Sequence, residues 1–171
     1  PGTFMYHPHA DEMVQMAMGM MGMWITHPKG KHPLIDEVDR DFCFLLNAYD
    51  IEPGSATPKI MTMLDFNLWS WNSRIFPGIA PLVARQGDRV RIRIGNLTMT
   101  NHPIHLHGHT FQLASGGTVG ASTARKDTVN VMPMSAVAFD IEADNPGQWM
   151  FHCHNTYHLE MGMATTLSYR V

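Results

Sequence analysis

Nine residues at the start of the chain, PGTFMYHPH (Pro1 to His9), return near its end as PGQWMFHCH (Pro146 to His154). Both obey the pattern P-G-x-aromatic-M-aromatic-H-x-H, at a separation that is the length of a domain rather than of a solenoid repeat. The chain therefore reads as the tail of one domain followed by a whole second copy. Residues 1–35 would be the closing strands of the first copy with their connection, the stretch from Thr26 to Asp36 being rich in Pro, Lys and Gly. Residues 36–171 would be the complete second domain.

Within that second part, DFCFLLNAYDI, KIMTMLDFN, DRVRIRIGN, HTFQLA, DTVNVM, AVAFDIEA, QWMFHCH and TTLSYRV are short runs with alternation. Turn signals such as Pro53-Gly54, Gln86-Gly87-Asp88, Gly116-Gly117 and Asn145-Pro146-Gly147 separate them. Eight such runs without a long helical pattern predict an all-β Greek-key sandwich or barrel, with one brief helix after His154 that ends near Gly162.

Composition narrows the chemistry. Lys+Arg 12 against Asp+Glu 15 leaves a formal charge of -3, and no basic stretch offers the footprint that nucleic acid needs. The apolar run from Met13 to Ile25 is too short to span a bilayer, and Asp11 and Glu12 precede it where an export signal would carry positive charge. Neither a membrane partner nor an export signal is read in these residues. Eleven histidines and fifteen methionines are the unusual feature, and they suit soft or borderline metal ions.

Strand alternation sorts these residues into two groups. His152 and His154 project to one side of an extended strand while Cys153 projects to the other. His105 and His107 likewise share a face, and His102 has the opposite parity, with Pro103 forcing extended geometry beside it. One site follows from His102, Cys153, His158 and Met163: two imidazoles, a thiolate and a thioether, the ligand set of blue copper. Zinc fits poorly, because a thioether is a weak zinc ligand. The other face gathers His105, His107, His152 and His154, and the repeated segment adds His7 and His9. Three H-x-H pairs exceed what one ion needs and suggest a cluster.

The segments HPIHLHGHTF, HCHNTYHLEMGM and YHPH, with the spacing H-C-H-x3-H-x4-M, resemble the multicopper oxidase family, which includes laccases. The resemblance covers essentially the whole chain, PLVARQGDRVRIRIGN included. It implies cupredoxin domains, a type 1 copper that accepts electrons from a reductant, and a trinuclear cluster that reduces dioxygen to water. By resemblance, His102, Cys153, His158 and Met163 would bind type 1 copper and His105 the type 2 ion. His107, His7, His9, His152 and His154 would bind the type 3 pair. Catalytic roles would fall to His158, at whose exposed imidazole edge electrons would arrive, and to Cys153, which would pass them through His152 and His154. Phenols, aromatic amines or metal ions would be the donors, and the periplasm or the extracellular space the location.

Two departures matter. Counted from His7, Pro8 stands where Cys153 stands, Met13 where His158 stands and Met18 where Met163 stands, so the first copy lacks a type 1 site. The family's fourth pair, an HxHG motif, has no counterpart here; the chain is thus expected to be a piece of a longer protein, its cluster completed by missing residues or by a partner chain. The pattern resembles two-domain members with type 1 copper in the second domain, which implies a homotrimer or association with the absent part of the first domain. Alternatives are a non-enzymatic copper-binding or electron-transfer module, and a copper nitrite reductase, which has no need of H-x-H pairs around the thiolate.

Plainer readings stand beside these. A chance histidine-rich β-protein does not account for the joint spacing. His7 and His9 could be surface residues on a relict strand. His109 is expected to support or pack rather than ligate. His27 and His32 fall in the connection and are expected to be solvated. Cys43 reads as a small buried hydrophobe, since a disulfide to Cys153 would destroy the thiolate. The methionines from Met13 to Met23 are expected to pack a core, with a thioether surface for Cu(I) as the alternative. Asp11 and Glu12 would be proton donors or plain loop carboxylates.

Overall fold

The computed structural model describes residues 1–30, 38–62, 64–116 and 124–170. His32 and the Gly116-Gly117 turn signal fall wholly or partly outside these residues. The elements are β1 (Gly2–Tyr6), α1 (Glu12–Ala17), β2 (Gly22–Thr26), β3 (Arg40–Tyr49), β4 (Leu68–Trp71), β5 (Leu82–Arg85), β6 (Arg89–Asn96) and β7 (His102–Leu106). They continue with β8 (Phe111–Gly116), β9 (Arg125–Lys126), β10 (Thr128–Val131), β11 (Ala136–Glu142), β12 (Gln148–Cys153), α2 (Thr156–Glu160) and β13 (Ala164–Arg170).

Two sheets face each other, one of five strands in the order β10-β7-β12-β13-β5 and one of six in the order β4-β3-β6-β11-β8-β9. Alternate residues of both meet in one core: Phe44, Ile92 and Phe139 from the six-stranded sheet, Ile104, Phe151 and Leu167 from the five-stranded one. Sequence neighbours are often separated in the sheets, and the parallel pairs β3–β6 and β13–β5 join otherwise antiparallel ladders. This is the all-β sandwich that the alternating runs predict, with His102, His105, His152 and Cys153 brought onto the adjacent strands β7 and β12.

One expected strand is absent. KIMTMLDFN forms no ladder among the described residues; it crosses outside the sheets with Met61 81% and Leu64 61% exposed. Asn67 closes this crossing by holding both the N–H and the carbonyl of Ile51 at 3.0 Å. The short strands β4 and β5, which alternation did not separate, take up sheet positions instead.

The hairpin β1–β2 forms its own two-stranded sheet and lies against β6, β8 and β11. It touches the outward residues of β6. Thr3 Oγ1 accepts from the Arg93 guanidinium at 2.7 Å, and a Cβ at Gly95 would meet the sulfurs of Met5 and Met23 at 2.5 and 2.6 Å. Only a glycine lets the two methionines sit on the sheet there. Arg91 and Arg93, 2% and 3% exposed beneath this cover, are compensated by Asp140 and Asp41.

The sequence echo is also a structural one. Each copy runs strand, short helix, antiparallel strand: β1–α1–β2 and β12–α2–β13. Gly19 and Gly162 both adopt left-handed backbone after their helices, with φ of 90° and 103°. The first copy has two more residues between its H-x-H motif and that glycine. Structural equivalence therefore sets Gln15 against His158 and Met20 against Met163, correcting the ungapped count that chose Met13 and Met18.

Candidate metal centre

β12 carries the centre. His152 pairs with His105 and Cys153 with Ile104 across the antiparallel β12–β7 ladder. Pleating then turns Cys153 toward the core and His152 away from it. Beyond the strand, the Asn155 side chain accepts from Tyr157 N–H and starts α2, which returns His158 to the thiol. The chain comes back tightly: Met163 N–H donates to His158 O, and Cys153 N–H donates to Met163 O, both at 3.0 Å.

On the inner side, Cys153 Sγ lies 3.6 Å from His102 Nδ1 and 3.5 Å from His158 Nδ1. These three ligand atoms lie within 4.8 Å of one another, and all three residues are buried. Met163 is fully buried. Burial, with the neighbouring charge of His158 added, pulls the His102 pKa down to about 3; burial alone takes His158 to about 4. Both imidazoles are thus neutral with a free lone pair, as a metal ligand must be. Burial pushes the Cys153 thiol up to about 11, against a hydrogen bond from the Asn155 backbone. A thiol in such a place becomes a thiolate only when a cation takes the proton's place. Two nitrogens and a sulfur converging without a carboxylate fit copper.

On the outer side, His105, His107 and His152 offer nitrogens within 4.8 Å of one another. The rings of His105 and His154 lie 5.4 Å apart, those of His152 and His154 5.6 Å apart. His105 Nδ1 donates to Asp127 O at 2.7 Å and His152 Nδ1 to Cys153 O at 2.9 Å. Both therefore present Nε2, and the His152 Nε2 meets that of His107 at 3.0 Å. Burial first, then the crowd of imidazoles, lowers the His152 pKa.

His7 and His9 stand apart. Their rings are 5.1 Å from each other, and among the described residues no ring contact or ligand group joins them to the other four. His7 Nδ1 instead lies 3.0 Å from Glu12 Oε1, while Asp11 serves the helix through its backbone carbonyl. Their hairpin covers the outside of the six-stranded sheet, whereas His105 and His152 sit on the outside of the five-stranded one. His109 is buried outside both groups; its Nδ1–H donates to His107 O at 3.1 Å and its Nε2 accepts from the Tyr169 hydroxyl at 2.6 Å. Cys43 is a free thiol beside Arg93, and His27 is exposed.

The structure corrects the expected exposed edge of His158, which is 3% exposed. Trp69 of β4 stacks on it with ring centroids 4.1 Å apart, and Phe66 meets Trp69 edge-on at 6.0 Å. Nothing local in LWSW signals this role, because the contact is made between a strand of the six-stranded sheet and the helix α2, far apart in sequence. The methionine run is corrected in part: Met16, Met21 and Met23 are half-buried, Met23 against the sheet at Gly95. Met13, Met18 and Met20 are 43%, 62% and 57% exposed rather than packed in a core.

Residues 52–171 match the family model described as multicopper oxidase. Multicopper oxidase MmcO of Mycobacterium tuberculosis is 48% identical over 120 residues, 69% of this chain but 23% of the relative. Copper resistance protein A of Escherichia coli is 42% identical over 113 residues, 66% of this chain and 18% of that protein. Among solved structures, the blue copper oxidase of Nitrosomonas europaea superposes with a TM-score of 0.82 at 28% identity, over 98% of this chain and 56% of that one. A copper nitrite reductase from the same organism reaches 0.82 at 18% identity, over 99% of this chain and 62% of that one, which shows the shared fold alone.

The fold is thus that of cupredoxin-like proteins. The chain belongs to the multicopper oxidase family, whose cofactor is copper. It spans about a fifth of the length of the curated relatives it matches.

Proposed function

We propose that this chain is the part of a copper oxidase that accepts single electrons from a small reductant and delivers them to a dioxygen-reducing copper cluster. The observation that carries this reading is the two-sidedness of β12. The Cys153 sulfur enters a buried N,N,S group, and the peptide neighbours of Cys153, His152 and His154, belong to the histidine group outside. Bound copper would supply the one-electron steps and the reduction of dioxygen.

The protein's own residues do the rest. His102, Cys153 and His158 would hold type 1 copper, with Met163 supplying a weak thioether ligand. Burial excludes water from this group and keeps both imidazoles neutral. His105 would hold type 2 copper, while His107, His152 and His154 would serve the type 3 pair. The peptide units around Cys153 form a covalent link between the two groups.

His7 and His9 would join a cluster in trans. Residues 1–35 are read as the end of a first cupredoxin domain, whose histidines would meet the open face of a neighbouring copy, with the missing H-x-H pair lying elsewhere in the full protein. A homotrimer fits this arrangement. An extracellular or periplasmic location suits copper relatives of this kind; no described helix is long and apolar enough to cross a membrane.

For the donor, phenols or aromatic amines remain candidates, and one observation favours Cu(I). Met13, Met16, Met99 and Met134 line a cavity of about 300 Å³ together with Phe66. Phe66 leads through Trp69 to His158, and thioethers select cuprous ions. Variants with these methionines changed to Leu should lose cuprous oxidation while keeping phenol oxidation.

The separation of His7 and His9 within one chain favours a second reading, a copper-binding electron-transfer module without a cluster. Copper counting and EPR on the full-length protein decide between them. Type 1 copper together with a coupled type 3 pair supports the oxidase. Type 1 copper alone sinks it.

A further inference from the structure

If the N,N,S group is a metal site, as proposed above, His102 must present one particular ring nitrogen to it. The other nitrogen, Nε2, lies 2.7 Å from Thr98 Oγ1, with Thr100 Oγ1 farther off at 3.4 Å. The Thr98 hydroxyl has three other neighbours, Asn96 Oδ1 at 2.7 Å, Thr100 O at 3.1 Å and Thr100 N–H, from which it accepts at 3.3 Å. The Asn96 amide can be oriented without ambiguity. Its Nδ2 reaches the carbonyls of Thr100 and Val131 at 2.9 and 3.0 Å, and its Oδ1 accepts from Thr98 N–H at 2.9 Å.

The Thr98 hydroxyl has one proton and three acceptors in reach, Asn96 Oδ1, Thr100 O and a bare His102 Nε2; donated to Asn96 Oδ1 at 2.7 Å, that proton leaves an oxygen lone pair facing the imidazole. In this arrangement Thr98 meets His102 as an acceptor. The proton of the neutral imidazole lies on Nε2, which leaves the lone pair on Nδ1, the atom 3.6 Å from Cys153 Sγ. Asn96, Thr98 and His102 are 0%, 3% and 0% exposed, so water does not substitute for any of these partners. Asn96 ends β6 in the six-stranded sheet, and Val131 is the cross-strand partner of His102 in the five-stranded one. The network thus ties the two sheets together at the metal end.

We infer that Thr98, itself fixed by Asn96, is a positioning residue that locks His102 in the Nε2–H tautomer and keeps Nδ1 as the ligand atom. The lock precedes the metal: it is complete in the polypeptide alone, so the ligand lone pair is prepared before any ion arrives.

Nitrogen NMR of metal-free protein labelled with 15N-histidine reads the tautomer without copper. The inference expects a single neutral His102 form with its proton on Nε2 and slow exchange of that proton. In Thr98→Val the slow proton is lost and the Nδ1–H form appears; Thr98→Ser restores the original signature. Copper affinity, measured by competition with a chelator, should fall about tenfold in Thr98→Val and recover in Thr98→Ser, the loss typical when a ligand's supporting hydrogen bond is removed. A wild-type proton on Nδ1, or a Thr98→Val protein with unchanged tautomer and unchanged affinity, overturns the inference. If the tautomer behaves as stated while no copper binds at Cys153, Thr98 keeps its role and the metal reading fails instead.

Discussion

The two hairpins β1–α1–β2 and β12–α2–β13 share a sequence pattern, a connection by a short helix and a left-handed glycine, yet only one surrounds a ligand group. The first packs on the outside of a sheet, and Met20, its counterpart of Met163, is 57% exposed where Met163 is fully buried. The second is an inner member of a sheet, with β7 on one side and β5 beyond β13. A hairpin therefore becomes half of a metal site only where neighbouring strands supply the remaining ligand and exclude water; here those neighbours are β7, which brings His102, and β4, which brings Trp69.

The strongest test of this contrast is Cys153→Ser. It should abolish the intense visible band of a copper thiolate and reduce oxidase activity of the full-length protein to background. A variant that kept phenol oxidation would end the proposed electron path.

Acid should act next most strongly, on the second hairpin's surroundings. His102 and His158 have folded pKa values of about 3 and about 4, below the ordinary 6.5, so the unfolded chain binds more protons between these limits. Their contribution to stability is complete above pH 6.5 and lost as pH falls toward 4 and then 3. Denaturant titration of metal-free protein should show a loss of a few kcal/mol, because a tenfold change in proton affinity on folding is worth on the order of 1.4 kcal/mol. His158→Gln should flatten this slope.

The two glycines give a smaller, paired test. Ala at position 19 meets no atom within 4 Å and bears only the left-handed backbone cost of roughly 1 kcal/mol. Ala at position 162 would add a contact of 2.9 Å with Ile75 Cβ and 3.2 Å with Phe76 N. Gly162→Ala should therefore cost about 2–3 kcal/mol and Gly19→Ala about 1 kcal/mol in thermal unfolding.

The smallest effect sharpens the contrast from the other direction. Pro8→Cys combined with Gln15→His, placed in a Cys153→Ser background, gives the first copy an H-C-H-x5-H pattern without any counterpart of His102. Copper titration should show no charge-transfer band; a blue protein would mean that the hairpin suffices.

The ligand groups were legible in the sequence because a strand has a period of two. Whatever the sheet order, Cys153 had to part from His152 and His154, and His102 from His105. Equally legible was the closing helix, through Gly162 and the polar cap at Asn155. The crossing at residues 59–67 was not, because its alternation imitates a strand while Thr62 and Asn67 tie it to Asp50 and Ile51 outside it. The offset of the first copy was legible only through Met18-Gly19-Met20, which repeats Met161-Gly162-Met163; an ungapped count from His7 passes over it, and the left-handed backbone at both glycines agrees with it.

Sequence by itself determined which side chains travel together and which separate, since covalent geometry and pleating act over neighbouring residues. Tertiary structure alone decided which hairpin is buried, that Trp69 covers His158, that Thr98 and Asn96 stand behind His102, and that His7 and His9 lie apart from the other histidines. Those outcomes depend on strands brought together across the sandwich, whose side-chain contacts are set by sheet order and register rather than by any local spacing.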